Sequence, residues 1–514
     1  MWCKHARTSL PQAGATNNTM NDSNHKIWRR GQFVLGPQPV ERLASWNRYE
    51  VGPALHLTAH PALNVTQARG DGFSITLLGY ILDPDAPELS DVEIVGRMAL
   101  AARPGISPVD LTGRFGGRWL LIIEEADGVR IFADPSGLRQ MFHTAAVATG
   151  AMWAASEPGI LAEILGLEIS LEAREFMASD YYTRDTEHYW PVDASPYREI
   201  RRLLPNHELS VRTGAARRFW PDKGFTPSTP DEAAEVVGET LRGLIKAIHA
   251  RGSLSVNLTA GLDSRMMLAA ARPVARDLLF TTAKKPDAQE SDPDLVISRR
   301  LAATFGLQHR VINAASVLRE EFRELYFSSN LLCHEKWALM AQAGFDAFNG
   351  ERIGVTGHVV EVARSYYIKL KSGLETGEPF TPELLARAIG MGPQGIVIQG
   401  MERWMDGLGE VYNYDARDLL FWENEGGSWL AQAQQEFQVV SKDTLSPFNC
   451  RRVLEAALSV DPQLRGEPDY PFFRSVITRL WPECLELPIN PRPPVTLLKR
   501  VRRVVSKIKR QLIK

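Results

Sequence analysis

Thr259, Gly261, Asp263 and Ser264 crowd into one short stretch, SLSVNLTAGLDSRMMLAAA, which runs from Ser253 to Ala271. An apolar run with β-branched residues stops there at small residues, an acid and two hydroxyls follow, and a helical pattern begins. A strand that turns tightly into a helix aims the helix's free N–H groups and positive dipole end at one point, which suits phosphate. Gly261 lets the backbone approach an anion, Thr259 and Ser264 offer hydroxyl donors, and Asp263 could hold Mg²⁺ that neutralises phosphate charge. With Ala260 and Leu262 these residues make a candidate nucleotide-binding loop. A bare GxDS also occurs as an ordinary strand-to-helix turn with Ser or Asp as its cap, so the surrounding pattern has to decide.

The elements that would position this loop alternate. Strand-like LSVNLT, LLFTTA, HRVIN and RIGVTG are separated by helical stretches such as DLVISRRLAATFG, which predicts a parallel sheet covered by helices. Ligands of such sheets bind at the carboxyl ends of the strands. The loop at Thr259–Ser264 stands at one such end, and VTGHVVEVARSYY stands at another. Helical spacing in DEAAEVVGETLRGLIKAIHARG predicts the helix that opens this region. From about Phe380 onward the chain reads as mostly helical.

Before it, from Gln32 to Pro221, short β-branched and alternating runs such as FSITLLGYIL, GRWLLIIEE and GVRIFADP are divided by Gly, Asp and Pro. They predict an α+β domain rich in hairpins. At 514 residues the chain is too long for one ordinary core. Four parts are expected: a disordered leader at 1–31, an N-terminal domain at 32–221, a second domain at 231–490 and a tail at 491–514. A formal net charge of −2 excludes a global attraction to nucleic acid or anionic membranes. The four cysteines, Cys3, Cys333, Cys450 and Cys484, show neither CxxC pairing nor metal-ligand spacing. No run approaches the roughly 18 apolar residues of a spanning helix, and the expected location is cytoplasmic.

LTAGLDSR resembles the pyrophosphate-binding loop, usually written SGGxDS, of the N-type ATP pyrophosphatases, and in particular of the asparagine synthetase family. In the first half, LTGRFGGRWLLIIEEADGVRIFADPSGLRQMFHT resembles the class II glutamine amidotransferase domain of that family, with Gly113, Phe115, Asp134, Gly137, Arg139 and Phe142 in matching places. The resemblance implies an amidotransferase-like α+β sandwich, then an α/β ATP-pyrophosphatase domain with a helical extension. It also implies a reaction that uses ATP and Mg²⁺. A carboxylate is adenylated, pyrophosphate leaves, and an amine attacks the acyl-adenylate to give an amide and AMP. The charge building on departing pyrophosphate needs fixed donors and a metal ion, which Thr259–Ser264 would supply.

The sequence also departs from that family. Active amidotransferase domains begin with a cysteine whose own α-amine serves as its base, whereas this sequence reads Met-Trp-Cys and carries a leader before the first strand. No glutaminase activity is expected, and Cys3 is read as an incidental thiol. Family members without that nucleophile include β-lactam synthetases and the macrolactam-forming cyclases of lasso peptides. The partners implied are therefore a small-molecule or peptide carboxylate and an amine, joined either between two molecules or within one. A nucleotide-binding scaffold without turnover is the reading from another class, motivated by Ala260 and by an altered second acidic motif.

That motif, SGEGADE-like in asparagine synthetases, appears here as VTGHVVEVARSYY, with Thr356, Gly357 and Glu361 retained. Glu361 stands as a metal ligand beside Asp263, as half of a Tyr–Glu pair with Tyr366 that deprotonates the amine, or as a helix-start carboxylate paired with Arg364. Asp292 and Asp294 are read as substrate or nucleotide contacts or as a solvated acidic cap. His309 reads as a strand-start residue. Arg465 sits where relatives carry a lysine that stabilises the adenylation transition state, and an ordinary arginine is the other reading. The tail LLKRVRRVVSKIKRQLIK places Leu498, Val501, Val505, Ile508 and Leu512 on one stripe among basic residues. It reads as a membrane-surface or partner contact at the inner face of the membrane, or as a docked terminal helix. Nucleic acid is not expected, and the oligomeric state stays open.

Overall fold

The computed structural model describes residues 26–145, 150–184, 187–369 and 379–491. Cys3, most of the leader and the basic tail, expected to contact a membrane or partner, lie outside the described residues.

The hairpin-forming runs before Pro221 build two antiparallel six-stranded sheets. In one the order is Ile200–Arg202, Phe142–Thr144, Ala154–Ala155, Phe33–Gly36, Leu55–Ala59 and Asn47–Gly52. In the other it is Ala215–Arg218, His207–Ser210, Gly128–Ala133, Gly116–Glu125, Phe73–Leu82 and Val65–Gly70. Strand periodicity explains their packing, because successive side chains point to opposite faces. Leu120 and Ile122 face the first sheet in a core shared with Phe33, Leu35 and Leu57. Leu121 and Ile123 point the other way, against Ile94, Val95 and Met98 of the helix Asp91–Ala101. A strand covered on both faces reads as an unbroken apolar run, which is what GRWLLIIEE shows.

Past Pro230 the period changes. The helix Pro230–His249 starts on a capping box of Thr229 and Glu232. A five-stranded parallel sheet follows, ordered Gln308–Asn313, Leu279–Lys284, Leu254–Asn257, Ile353–Val355 and Asp443–Leu445. Four of these strands were predicted. The fifth, of three residues within a stretch read as helical, was not. The chain runs outward on one side of Leu254–Asn257 and then crosses to Ile353–Val355 on the other side. The crevice at the carboxyl ends of those two strands is therefore the topological switch point where such sheets take ligands.

The division near Pro221 separates the sheets but not the core. One apolar cluster includes Val34, Phe142 and Trp190 from the first half with Leu241, Leu254 and Trp422 from the second. At Gly243 the opening helix presses so closely on the Pro84 carbonyl that a Cβ would lie 2.1 Å from its oxygen.

A buried ionic knot joins the halves as well. Asp443, at the start of the fifth strand, accepts from Arg118 Nη1 at 2.8 Å and from Arg139 Nη2, and all three side chains are buried. Burial alone would raise the Asp443 carboxyl, but the charges of Arg139 and Arg118 outweigh it and hold the group below its ordinary value. Burial and the neighbouring Arg139 draw the Arg118 guanidinium down to about 10, still charged at neutral pH. Removing Asp443 would strand two buried cations. Asp443→Ala should lower the unfolding free energy by roughly 3–5 kcal/mol. Asp85→Ala, which breaks the exposed bidentate pair with Arg452, should cost less than about 1 kcal/mol. Urea denaturation of both variants checks this, and equal losses would contradict it.

Candidate functional site

The strand Leu254–Asn257 leads through Thr259 and Ala260 into a helix at Leu262–Ala270, as the sequence predicts. The loop is tied by its own hydroxyls. Ser264 Oγ accepts from Thr259 N at 3.0 Å and lies 3.0 Å from Thr259 Oγ1, which in turn accepts from Gly261 N at 3.0 Å. No side chain caps the helix, whose N-cap is Gly261. Its first N–H groups therefore meet the crevice without a side-chain partner.

Arg265, the residue after this motif, anchors the loop from behind. Its fully buried guanidinium donates to the carbonyls of Cys484 at 3.0 Å, Leu487 and Pro488, and Asn490 N closes on Ala260 O at 3.0 Å. The segment 484–490 thus braces the loop. The sequence reading passed over Arg265, although an arginine opening the apolar run RMMLAAA is the signal that a buried cation needs carbonyl partners.

The second crevice loop folds directly onto the first. Gly357 lies so near that a Cβ there would be 2.9 Å from Asp263 Cβ. Arg364 makes an ion pair with Asp263. Of the readings the sequence left open for Glu361, the pairing with Arg364 is not the one formed, because Arg364 is taken up by Asp263. The turn is strained: Val359, a buried β-branched residue, has φ of 81°, and Ser365 has φ of 53°. Glu361 Oε2 is sealed from solvent without a hydrogen-bond partner, although part of the residue is exposed. Burial raises its carboxyl to about 7.

The remaining predicted residues separate by role. Asp292 caps the helix Pro293–Phe305 by accepting from Asp294 N at 2.9 Å. Asp294 reaches the loop, where Oδ1 accepts from Ala260 N at 2.9 Å. His309 bonds Thr282 Oγ1 at 2.8 Å inside the sheet. Arg465 is fully buried and committed to protein partners: Val460 O at 2.9 Å, Ala363 O at 3.1 Å and Asp418 Oδ2 at 2.8 Å. These bonds steady the turn that carries Glu361 and Arg364.

Tyr366 is 44% exposed, with its ring against Tyr367 and Phe421. The Tyr–Glu contacts form one residue further along. Tyr367 and Tyr189 both donate to Glu425 Oε1, the latter at 2.8 Å. Burial raises the Glu425 carboxyl to about 7, and its Oε2 has no hydrogen-bond partner. Glu425 lies on a π-helix, Phe421–Leu430, a form frequent at functional sites. The signal available in the sequence was FWENEGGSWL itself, with two acids inside a segment aromatic at both ends. Neither helical nor strand periodicity marks them.

The protonated Glu425 contributes stability fully below the unfolded glutamate value of 4.5 and loses that contribution as pH rises through about 7. Glu425→Gln cannot titrate. From about pH 5 to pH 8 its stability relative to the native protein should therefore rise by roughly 1–3 kcal/mol. Urea denaturation across that range checks this, and a flat difference would mean that Glu425 is already ionised at pH 5.

Among the described residues no group of three or more His, Cys, Asp or Glu side chains could hold a metal ion, and no helix is long and apolar enough to cross a membrane. No protein-family model matches this chain, and no curated protein matches it in sequence. Among solved structures it is similar to glutamine phosphoribosylpyrophosphate amidotransferase from B. subtilis, complexed with ADP and GMP. The identity is 10% over 67% of this chain and 73% of that one, with a TM-score of 0.22. So loose a likeness carries no argument about chemistry. The described residues form a mixed α/β fold of three sheets, with a candidate site at the switch point of the parallel one.

Proposed function

We propose that this protein uses Mg-ATP to adenylate a carboxylate and passes the acyl group to an amine, forming an amide with release of pyrophosphate and AMP. One observation carries the reading: an uncapped helix start, reached through Thr259–Ser264, lies at the switch point of a parallel sheet with a second loop folded onto it. The resemblance of LTAGLDSR to a pyrophosphate loop gives that geometry its chemistry.

The residues present fit the phosphate part of the nucleotide. Thr259, Ser264 and the first N–H groups of Leu262–Ala270 would hold pyrophosphate, with Arg364 at the mouth adding positive charge. Asp263 and Glu361, whose Oε2 has no hydrogen-bond partner, would hold a magnesium ion that takes most of its ligands from phosphate and water. The metal would neutralise charge on the leaving pyrophosphate. Arg465 holds the second loop from beneath, and in this reading the buried Tyr367–Glu425 contact would be the Tyr–Glu pair that takes a proton from the amine.

Glutamine is not the amine donor in this reading. The first strand opens at Phe33 behind Gly31 and Gln32. Cys450 is buried against Arg114 O, and burial raises its thiol to about 11. The amine is then free ammonia, a metabolite amine or a group on the same substrate. A second reading, a nucleotide-binding scaffold, is favoured by two contacts that already occupy the loop: Asp294 on Ala260 N and Arg364 on Asp263.

Mg-ATP at about a hundred times its dissociation constant should stabilise the protein by roughly 2.7 kcal/mol, and Asp263→Ala should lose that shift. Thermal unfolding with and without Mg-ATP measures it. A shift without pyrophosphate release on any carboxylate would leave the scaffold reading, and absence of a shift in the native protein would count against both. Added ¹⁵N-ammonia separates the enzymes, since a cyclase product loses water without taking up the label.

A further inference from the structure

Away from the loop, at the seam of the two halves, lies a cleft of about 720 Å³, in the range of small-molecule sites. One wall comes from the N-terminal sheets and their connections, with His143, Asp193, Arg201 and Arg202. The other comes from residues 403–412, which follow the helix Gly395–Asp406 through its last turns. None of the residues Thr259–Ser264 lines it.

Five arginines border this cleft, and their partners can be followed one by one. Arg218 is committed to Glu423 through both terminal nitrogens and to Gly407 O at 3.1 Å. Arg217 is held by Glu208. Arg403 grips Asp193 at 2.6 and 3.0 Å, so Arg201, 3.7 Å from the same carboxylate, shares an anion that is already engaged. Arg202 is 2% exposed and donates from Nη1 to Val192 O at 3.3 Å. Its Nε and Nη2 have no hydrogen-bond partner, and neither does Nδ1 of the buried His143. The other carboxylate on the lining, Glu410, is exposed at the rim.

Behind the lining, the charge of Glu157 acts on Arg202, whose guanidinium lies over the Phe142 ring, and that of Glu199 acts on Arg201. On the lining itself cation exceeds carboxylate at Arg201 and Arg202, and buried guanidinium donors without hydrogen-bond partners are costly. The planar fork of arginine matches a phosphate or carboxylate group in two-point contact. We propose that this cleft binds a small molecule bearing a dianionic oxyanion group, a phosphate ester or a dicarboxylate, held by Arg201 and Arg202. Such a ligand touches both halves of the molecule at once. Burial holds His143 at about 4, so it meets the ligand as a neutral imidazole.

Isothermal titration of the full chain near pH 8 tests this, with sodium phosphate and sodium succinate as separate probes against sodium chloride at matched ionic strength. At least one probe should bind saturably beyond the chloride control. Phosphate alone marks a phosphate ester, and succinate alone a dicarboxylate. Arg202→Met and Arg201→Gln should each weaken the affinity about tenfold or more. If the buried Arg202→Met variant does not fold, as read by circular dichroism, the half-buried Arg201→Gln carries the test. No saturable binding of either probe, or an affinity unmoved in Arg201→Gln, overturns the proposal. Binding kept in both arginine variants would place the anion elsewhere and overturn it too.

Discussion

The rest of the structure depends on a single buried carboxylate. Asp443 begins the outermost strand of the parallel sheet and faces two arginines that belong to the other half of the chain. Neither side can do without the other, because a guanidinium removed from water needs a charge or several carbonyls to replace its hydration. The turn that presents Arg139 is organised around a second acid. Asp134 accepts from the backbone of Trp119, Leu138 and Arg139 and from Asn449 Nδ2 at 2.7 Å. The residues that look most like an amidotransferase hairpin are thus occupied in docking one half against the other.

That docking sets the frame for the crevice. Strand Ile353–Val355 lies between the docked strand and the strand that feeds Thr259, so the edge held by Asp443 is two strands from the loop. Loop positions are fixed from several directions: Arg265 from the C-terminal segment, Arg465 beneath the turn that follows Gly357, and Asp294 from the neighbouring helix. A preorganised anion site needs this arrangement, since donors aimed in advance do not have to reorganise when charge arrives.

Local pattern carried most of the architecture. Four of the five parallel strands, the opening helix and the hairpin-rich first half follow from period, turn residues and caps that lie close together along the chain. The strand Asp443–Leu445 did not, because its identity as a strand comes from pairing with Ile353–Val355 and from partners more than 300 residues away. The site divides in the same way. Thr259 through Ser264 announced themselves by type and spacing, whereas the roles of Arg364, Asp294 and Glu425 depend on which loop folds against which. Asp292 and Asp294, adjacent in kind and read together, do different work, one capping its own helix and the other bonding a distant loop. The Tyr–Glu contact falls on Tyr367 and Tyr189 rather than Tyr366 for a reason of phase: neighbouring residues on a helical turn point about 100° apart, and only one of the two faces the interior.

The π-helix at Phe421–Leu430 has a consequence for how this chain can change. A stretch of helix wound more widely than α is equivalent to an α-helix that has absorbed an extra residue, and its hydrogen bonds close over one more position. The wider winding takes up that residue locally, so the helix beyond keeps its facing. If the segment tightened to α-helical winding with the same residues, everything after it would turn by about 100°. Gln432, Gln435, Glu436 and Gln438 are buried polar side chains, with partners that include His334 for Glu436 and Arg118 for Gln435 and Gln438. A rotation of that size would carry all four away from those partners together. In this segment the wide winding itself, more than the identity of most of its residues, is what the partners of Gln432, Gln435, Glu436 and Gln438 depend on.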